Sequence, residues 1–343
     1  MLTSRQLRAL PKVELHRHLD GSIRIATMMD LARRHGLDLG ARSLAELRRS
    51  ATIISPLHDL AAVLDRFSLL QKVLCSFEAV SRVAFENVED AWRDGVKVAE
   101  LRFAPAFIAA GKTLGFDEIV EAAVDGARRG AHQYGIEVAL IGILPRSSPL
   151  EANTRATREL IRRRHDGRPG AELIRGFDLA DREDAFDPLP LVPLVDAARA
   201  AGLGITVHTG ENTDPRHVRR TLELFRPTRI GHGIRSWGDS SLTARLRAED
   251  VLLEVCPTSN WLTRSVPSLE EHPLPLLFAA GVPVCLNSDD PNLMAIDLVH
   301  EYAVCQRCYG FGADEFLAMN RAALEHSFVD DSAKRRVRAR FFG

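Results

Sequence analysis

Eight short β-branched or apolar runs alternate with amphipathic helical patterns along the 343 residues. This rhythm predicts an α/β fold, a (β/α)8 TIM barrel with extra helices inserted after the first strand. Three observations carry the prediction. Strand–helix–strand recurs eight times, as parallel βα units require. Several helical patterns stop at a glycine just before the next run, at Gly95, Gly135, Gly202 and Gly281, which is the expected helix stop signal. The chain exceeds the roughly 250 residues such a barrel needs, and neither G-x-G-x-x-G nor a P-loop follows the first run, which disfavours an open doubly wound sheet.

In chain order the runs are Val13–Asp20, Val96–Pro105, Ile136–Arg146, Leu173–Arg182, Gly204–Glu211, Arg229–Gly233, Val251–Pro257 and Pro283–Asp290. Helical patterns between them include Leu57–Asp94, Phe116–Tyr134, Leu191–Ala201, Pro215–Phe225 and Leu269–Ala280. The stretch Ser22–Asp94 exceeds one crossover helix and is expected to form a lid over the barrel mouth. The tail Asp314–Phe342 is helical by pattern and is expected to pack outside the barrel. The charged segment Arg162–Gly170 reads as a helix end followed by a surface turn. No repeat and no linker divides the chain, so residues 1–343 are read as one domain.

Composition narrows the function. Lys plus Arg number 45 and Asp plus Glu 46, so the net charge of -1 lacks the basic excess of a nucleic-acid binder. No apolar run approaches the roughly 18 residues of a membrane span, and the N-terminal residues carry no apolar leader. The five cysteines, Cys75, Cys256, Cys285, Cys305 and Cys308, are scattered and odd in number, which is no disulfide framework. A reducing, cytoplasmic setting is expected.

Chemistry in such a barrel sits at the C-terminal ends of the strands. The first run ends in His16-Arg17-His18-Leu19-Asp20, and period-two alternation puts His16 and His18 on one face. The fifth run ends in His208-Thr209-Gly210-Glu211, the sixth in Gly231-His232-Gly233, and the eighth in Ser288-Asp289-Asp290. Each fragment alone is unremarkable as an ordinary barrel residue. Together they gather imidazoles and carboxylates at one mouth, a donor set that suits a Zn2+ site with one position open to water.

These residues resemble the adenosine deaminase family, and the resemblance runs along almost the whole chain. It is carried by Pro11–Ser22, Gly176–Ala180, His208–Glu211, Arg229–Gly233, Cys256-Pro257-Thr258-Ser259-Asn260 and Asn287–Pro291, six motifs in family order. The resemblance implies zinc-dependent hydrolytic deamination of adenosine and 2'-deoxyadenosine to inosine and deoxyinosine, a purine-salvage reaction. It implies that His16, His18, His208 and Asp289 hold one zinc ion per chain. It makes Glu211 the proton donor and acceptor, His232 the residue orienting the attacking water, and Asp290 the contact to purine N7. His18, Asp20, Asp181 and Asp290 are expected to meet the substrate, Asp20 at the ribose 5'-hydroxyl. The chain departs from the family at Asp181, where glycine is usual and its N–H meets purine N3; the Asp181 side chain is expected to turn away. Thr209 stands where alanine is commoner.

The chemistry agrees. Adenine C6 is a poor electrophile, so N1 must be protonated while water is activated; bound zinc lowers the pKa of water from 15.7 to about 7. Glu254, in the seventh run, is expected to hold the second nitrogen of His232. The competing readings are a deaminase for another 6-aminopurine, such as adenine or a 5'-modified adenosine, and a mononuclear metal-dependent amidohydrolase. A two-metal site bridged by lysine is disfavoured because the fourth run has none. The H-x-E with P-C-x-x-C pattern of the other zinc deaminases is absent. A binding module that has lost its chemistry is disfavoured by intact Glu211 and His232. The expected partner is a small purine nucleoside, with neither nucleic acid nor membrane involved.

Overall fold

The computed structural model describes residues 1–57, 60–184 and 186–343. Its centre is a barrel of eight parallel strands in sequence order: β1 (Lys12–His18), β2 (Val96–Phe103), β3 (Glu137–Pro145), β4 (Ile174–Ala180), β5 (Gly204–Thr209), β6 (Arg229–His232), β7 (Leu252–Val255) and β8 (Val284–Leu286). Seven lie within the runs read from sequence, and β1 begins one residue before its run, at Lys12. The barrel closes through a parallel bridge between Arg17 and Asp289. There the His18 N–H donates to the Asp289 carbonyl at 2.8 Å, and the Asp289 N–H donates to the His16 carbonyl at 3.0 Å. Closure therefore sets Asp289 directly beside both histidines of β1.

Helices fill the crossovers, and Gly95, Gly135, Gly202 and Gly281 all take the positive φ of a helix stop. The long insertion resolves into Ile25–His35, Leu44–Ala51 and Leu60–Gln71, followed by Phe77–Arg93. Only the last behaves as the crossover helix, packing along Phe116–Tyr134. The expected continuous helix Leu57–Asp94 is broken between Gln71 and Phe77, where Ser76 caps the next helix by accepting from the Ala79 N–H. Residues 58 and 59 of that pattern lie outside the described residues. Val63 and Phe67, on Leu60–Gln71, line the cavity at the barrel mouth, so the insertion is a lid. Arg162, Arg163 and Arg168 pair with Asp117, Asp166 and Glu121, as a charged helix end and turn would.

The tail does more than pack outside. Leu324, Val329, Ala333, Val337 and Phe342 cover Val13, Leu15, Val98, Ala139, Leu252 and Cys285. These strand residues face into the barrel and would otherwise leave an apolar floor open to water. Burying each aliphatic side chain is worth about 1.5–3 kcal/mol.

Above this floor the barrel interior is charged. Arg229 pairs with Glu100 and Glu254 at 2.7 Å each. Arg102 pairs with Glu254 at 2.6 Å and Asp178 at 2.9 Å. All these side chains are buried. Removing one partner leaves an uncompensated buried charge, at a cost of about 3–5 kcal/mol. The network is thus a rigid platform beneath the strand ends.

Candidate active site

The strand ends bring the predicted residues together. His16 and His18 share one face of β1, with ring centroids 5.3 Å apart. His208, near the end of β5, lies 4.6 Å from the His16 ring, and His232, the last residue of β6, lies 4.9 Å from it. Asp289 Oδ1 is 3.2 Å from His16 Nε2 and 3.3 Å from His18 Nε2. Two overlapping triads have donor atoms within 4.8 Å of one another: His16, His208 and His232, and His16, Cys256 and Asp289. Cys256 aims its thiol at the Glu254 carbonyl, 3.7 Å away.

Carboxylates beneath the cluster fix the imidazoles. Glu254 Oε2 lies 2.9 Å from His16 Nδ1, and Asp178 lies 3.0 Å from His208 Nδ1. A carboxylate accepts only, so each Nδ1 carries a hydrogen and each Nε2 faces upward into the cluster. The His16 Nε2 atom is buried without a hydrogen-bond partner. Burial pushes the His18 and His208 imidazoles below the ordinary histidine range. Burial and Arg102 act the same way on His16, but Asp289 and Glu254 outweigh them and hold it above that range. Although burial works against it, the Asp178 carboxyl is held well below its usual range by His208 and Arg102.

Glu254 departs from the sequence reading, which gave it to His232. It points into the barrel interior, where it serves His16, Arg102, Arg229 and Thr206. His232 sits one step above this layer, after Gly231, the residue that pairs with Glu254. Its Nδ1 meets instead the side-chain amide of Asn260, 3.1 Å away.

Strain gathers at the same strand ends. His232, Asp289 and Asp181 have φ of 62°, 61° and 81°. The left-handed region costs a residue with a Cβ about 1–3 kcal/mol. The surrounding contacts hold it there, turning His232 and Asp289 from the ladder into the mouth.

Glu211 follows β5 on a loop. Its Oε1 accepts from the hydroxyls of Thr263 at 2.8 Å and Ser265 at 3.2 Å, and its Oε2 lies 3.7 Å from His232 Nε2. The loop is pinned by Glu183. One oxygen of Glu183 accepts from the Gly210 N–H at 2.5 Å and the Thr213 hydroxyl at 2.6 Å. The other accepts from the N–H groups of Glu211 at 2.9 Å and Asn212 at 3.3 Å.

The remaining predicted contacts ring the cavity. Asp290 is packed against Gly21 so closely that a Cβ there would fall 1.6 Å from Asp290 Oδ1; only glycine fits. Burial, then the charges of Asp289, Asp20 and Glu211, push the Asp290 carboxyl well above its usual range. Asp20 is 1% exposed, and neither of its oxygens has a hydrogen-bond partner. Burial pushes its carboxyl up to about 6. Asp181 turns its carboxylate to the N–H groups of Ser147 at 3.1 Å and Arg182 at 2.8 Å, as expected of a side chain leaving the pocket wall. The cavity they enclose measures about 400 Å³ and reaches from Glu211 to the lid residue Phe67.

Asp178, Glu183, Ser259 and Asn260 escaped the sequence reading as functional positions. For Asp178 the signal was present: a carboxylate in the apolar run Ile174–Ala180 must find a buried partner. Ser259 and Asn260 lie on the short helix Pro257–Leu262, and Ser259 donates to Asp289 Oδ2 at 2.7 Å. Nothing local in the sequence announces that pairing, because the partners are thirty residues apart.

Comparison with known proteins agrees with this geometry. Residues 11–341 match the family model described as adenosine deaminase. An adenosine deaminase from Salmonella typhi is 37% identical over 329 residues, covering 96% of this chain and 97% of the relative. Among solved structures, the adenine deaminase from Arthrobacter aurescens superimposes with a TM-score of 0.88 at 27% identity, over 96% of this chain and 97% of that one. The N6-methyl-AMP deaminase from Arabidopsis thaliana gives a TM-score of 0.83 at 28% identity, over 99% and 98% of the two chains. On its strand-end motifs, its barrel and these matches, the chain belongs to the adenosine deaminase family.

Proposed function

We propose that this enzyme hydrolyses adenosine and 2'-deoxyadenosine to inosine or deoxyinosine and ammonia, as a step of purine salvage. The observation that supports this most is the meeting, in one cavity, of the imidazole–Asp289 cluster with Glu211, Asp290 and the unpartnered carboxyl of Asp20. Residues 1–343 act in this reading as one catalytic unit in the cytoplasm. The free state of all five cysteines is consistent with that location.

His16, His18, His208 and Asp289 would hold one zinc ion. The fit is chemical: two imidazoles have Nδ1 committed to a carboxylate and Nε2 turned to the site, and the buried Nε2 of His16 makes no hydrogen bond. When bound, zinc supplies a water acidic enough to be hydroxide near neutral pH. Glu211 delivers to purine N1 a proton it has taken from the water as the water oxygen bonds to C6. A second proton, taken from that oxygen, passes through Glu211 to the amino nitrogen; the C6–N bond breaks and ammonia leaves. Asp290 meets N7, the Asp181 N–H meets N3, and Asp20 accepts from the ribose 5'-hydroxyl.

Asp20 also selects. A 5'-phosphate held about 4 Å from an ionised Asp20 would cost about 4 kcal/mol at an effective dielectric of 20. One observation favours a second reading, a 5'-extended adenosine. A further cavity of about 540 Å³ opens beside Gln71, Lys72 and Lys112, and it shares Ser68 and Phe107 with the first.

The test is a panel of adenosine, 2'-deoxyadenosine, adenine, adenosine 5'-monophosphate and a 5'-alkylthio adenosine, followed by loss of aminopurine absorbance and by ammonia release. Adenosine should lead. The reading fails if adenosine is inert or if adenine or the monophosphate outcompetes it. Metal analysis of the same protein should return one zinc per chain, and chelation should abolish turnover.

A further inference from the structure

We propose that Asn260 and His272 are positioning residues that hold His232 in the tautomer with its hydrogen on Nε2. That nitrogen then serves as a fixed donor to the oxygen attacking the purine. The tautomer follows from the hydrogen bonds alone; its catalytic consequence rests on the deaminase reading above.

The chain of hydrogen bonds begins at a backbone group whose role is invariant. The Leu274 N–H points at His272 Nδ1, 3.0 Å away. A backbone N–H only donates, so Nδ1 of His272 is an acceptor, and the neutral ring must carry its hydrogen on Nε2. Burial pushes the His272 imidazole down to about 3, so the ring is neutral at working pH. Its Nε2–H lies 3.2 Å from Asn260 Oδ1 and donates to it.

This fixes the orientation of the Asn260 amide. Turned the other way, its NH2 would face the Nε2–H of His272, donor against donor. The amide nitrogen must therefore face His232 Nδ1, and it does so at 3.1 Å. His232 Nδ1 is thus an acceptor, and the remaining hydrogen of the neutral ring is on Nε2. That atom lies 3.7 Å from Glu211 Oε2 and 3.9 Å from Asp289 Oδ2, where the attacking oxygen must sit. His232, Asn260 and His272 are 2%, 0% and 2% exposed. A chain of three buried side chains thus transmits one backbone N–H to the reacting centre.

The consequence is a division of labour. With Nδ1 occupied and Nε2 already protonated, His232 has no place to receive the proton of the attacking water. It donates a hydrogen bond to that oxygen and orients it. The two water protons go in turn to Glu211, which passes the first to N1 and the second to the amino nitrogen, so each proton released at oxygen is consumed at nitrogen.

The test is 15N NMR of the zinc-loaded enzyme labelled at histidine, with the His232 signals assigned by their loss in His232→Gln. The expected wild-type spectrum shows a protonated, pyrrole-type Nε2 and a pyridine-type Nδ1 for His232. Asn260→Asp keeps the shape but offers only acceptors, so the tautomer should invert to Nδ1–H. Its kcat should fall about 10²-fold or more with KM little changed, as misplaced protons do at other catalytic histidines. His272→Phe frees the Asn260 amide to turn and should give a mixture of tautomers with reduced kcat. His272→Gln, whose amide N–H can still donate to Asn260, should restore both. A wild-type His232 with its hydrogen on Nδ1 overturns the proposal without any variant having to fold. So does an Asn260→Asp enzyme that keeps the Nε2–H tautomer or wild-type kcat. A wild-type enzyme inert on adenosine would instead contradict the deaminase reading and leave the tautomer assignment standing.

Discussion

Replacing Glu183 by glutamine should cripple turnover although Glu183 does not line the substrate cavity. Its carboxylate accepts four hydrogen bonds from Gly210, Glu211, Asn212 and Thr213. Glutamine keeps one accepting oxygen and turns the other into an NH2 group. With its NH2 toward Gly210, the Gly210 N–H faces a donor while the Thr213 hydroxyl can turn to accept; the other way round, the N–H groups of both Glu211 and Asn212 face a donor. A hydrogen bond to a charged group contributes about 1.5–3 kcal/mol, so the loss of one or two removes about 1.5–6 kcal/mol from the bound position of the loop. Water reaching the exposed Asn212 recovers part of this. The rest is released by moving the loop, and Glu211 moves with it. A displacement near 1 Å at a catalytic group costs about 10²-fold in rate. We expect Glu183→Gln to lower kcat by about that factor, to change KM little and to retain its metal. Several loop hydrogen bonds depress the Glu183 carboxyl below its ordinary value although burial opposes them. Its stabilisation is therefore complete above the unfolded carboxylate pKa, about 4.3, and fades as pH falls through the lower folded value. Steady-state kinetics with metal analysis on the same sample decides it. A kcat close to wild type would refute the reasoning, and a kcat loss that tracks metal loss would place the effect at the imidazole cluster instead.

Three further predictions follow from particular side chains. Glu211→Gln should fold and hold metal but lose about 10²–10⁴-fold in kcat, because an amide cannot cycle the proton between N1, water and the leaving nitrogen; single-turnover assays would expose any bypass. Asp20→Ala should raise KM for adenosine strongly and narrow its advantage over the 5'-monophosphate, as competitive kinetics would show. Glu301 accepts from the Thr258 N–H at 3.1 Å, and burial pushes its carboxyl up to about 8. A raised folded pKa means that ionising Glu301 opposes folding, so wild-type stability should fall from pH 5 toward pH 8. Glu301→Gln should flatten that part of the curve, measured as Tm against pH; identical curves would contradict the buried neutral acid.

Much of the site was legible because its chemistry is concentrated at strand ends. Period-two alternation is enough to place His16 and His18 on one face. The rule that barrel chemistry sits at C-terminal strand ends brings His208, His232 and Asp289 to them. Asp181 was expected to turn away and does, held by the Ser147 N–H. Glu254 was assigned to the wrong imidazole. Strand order gives its neighbour strand but not its height in the barrel, and His232 stands one residue beyond Gly231, the partner of Glu254 in the ladder. The tail was read as packing outside because helical periodicity reports an apolar stripe and not what the stripe covers.

What the sequence determines by itself is local and periodic: eight βα units, their glycine stops, and the residue types that end each strand. The tertiary structure alone decides which carboxylate serves which imidazole, and that the Glu183 carboxylate clamps the Glu211 loop. It also decides that Asn260 meets His232. These pairings join residues about thirty or more positions apart in the chain, and one link lies more than two hundred apart, between His16 and Glu254. Barrel closure and strand stagger bring them within hydrogen-bond reach, and no local pattern of residues encodes that distance.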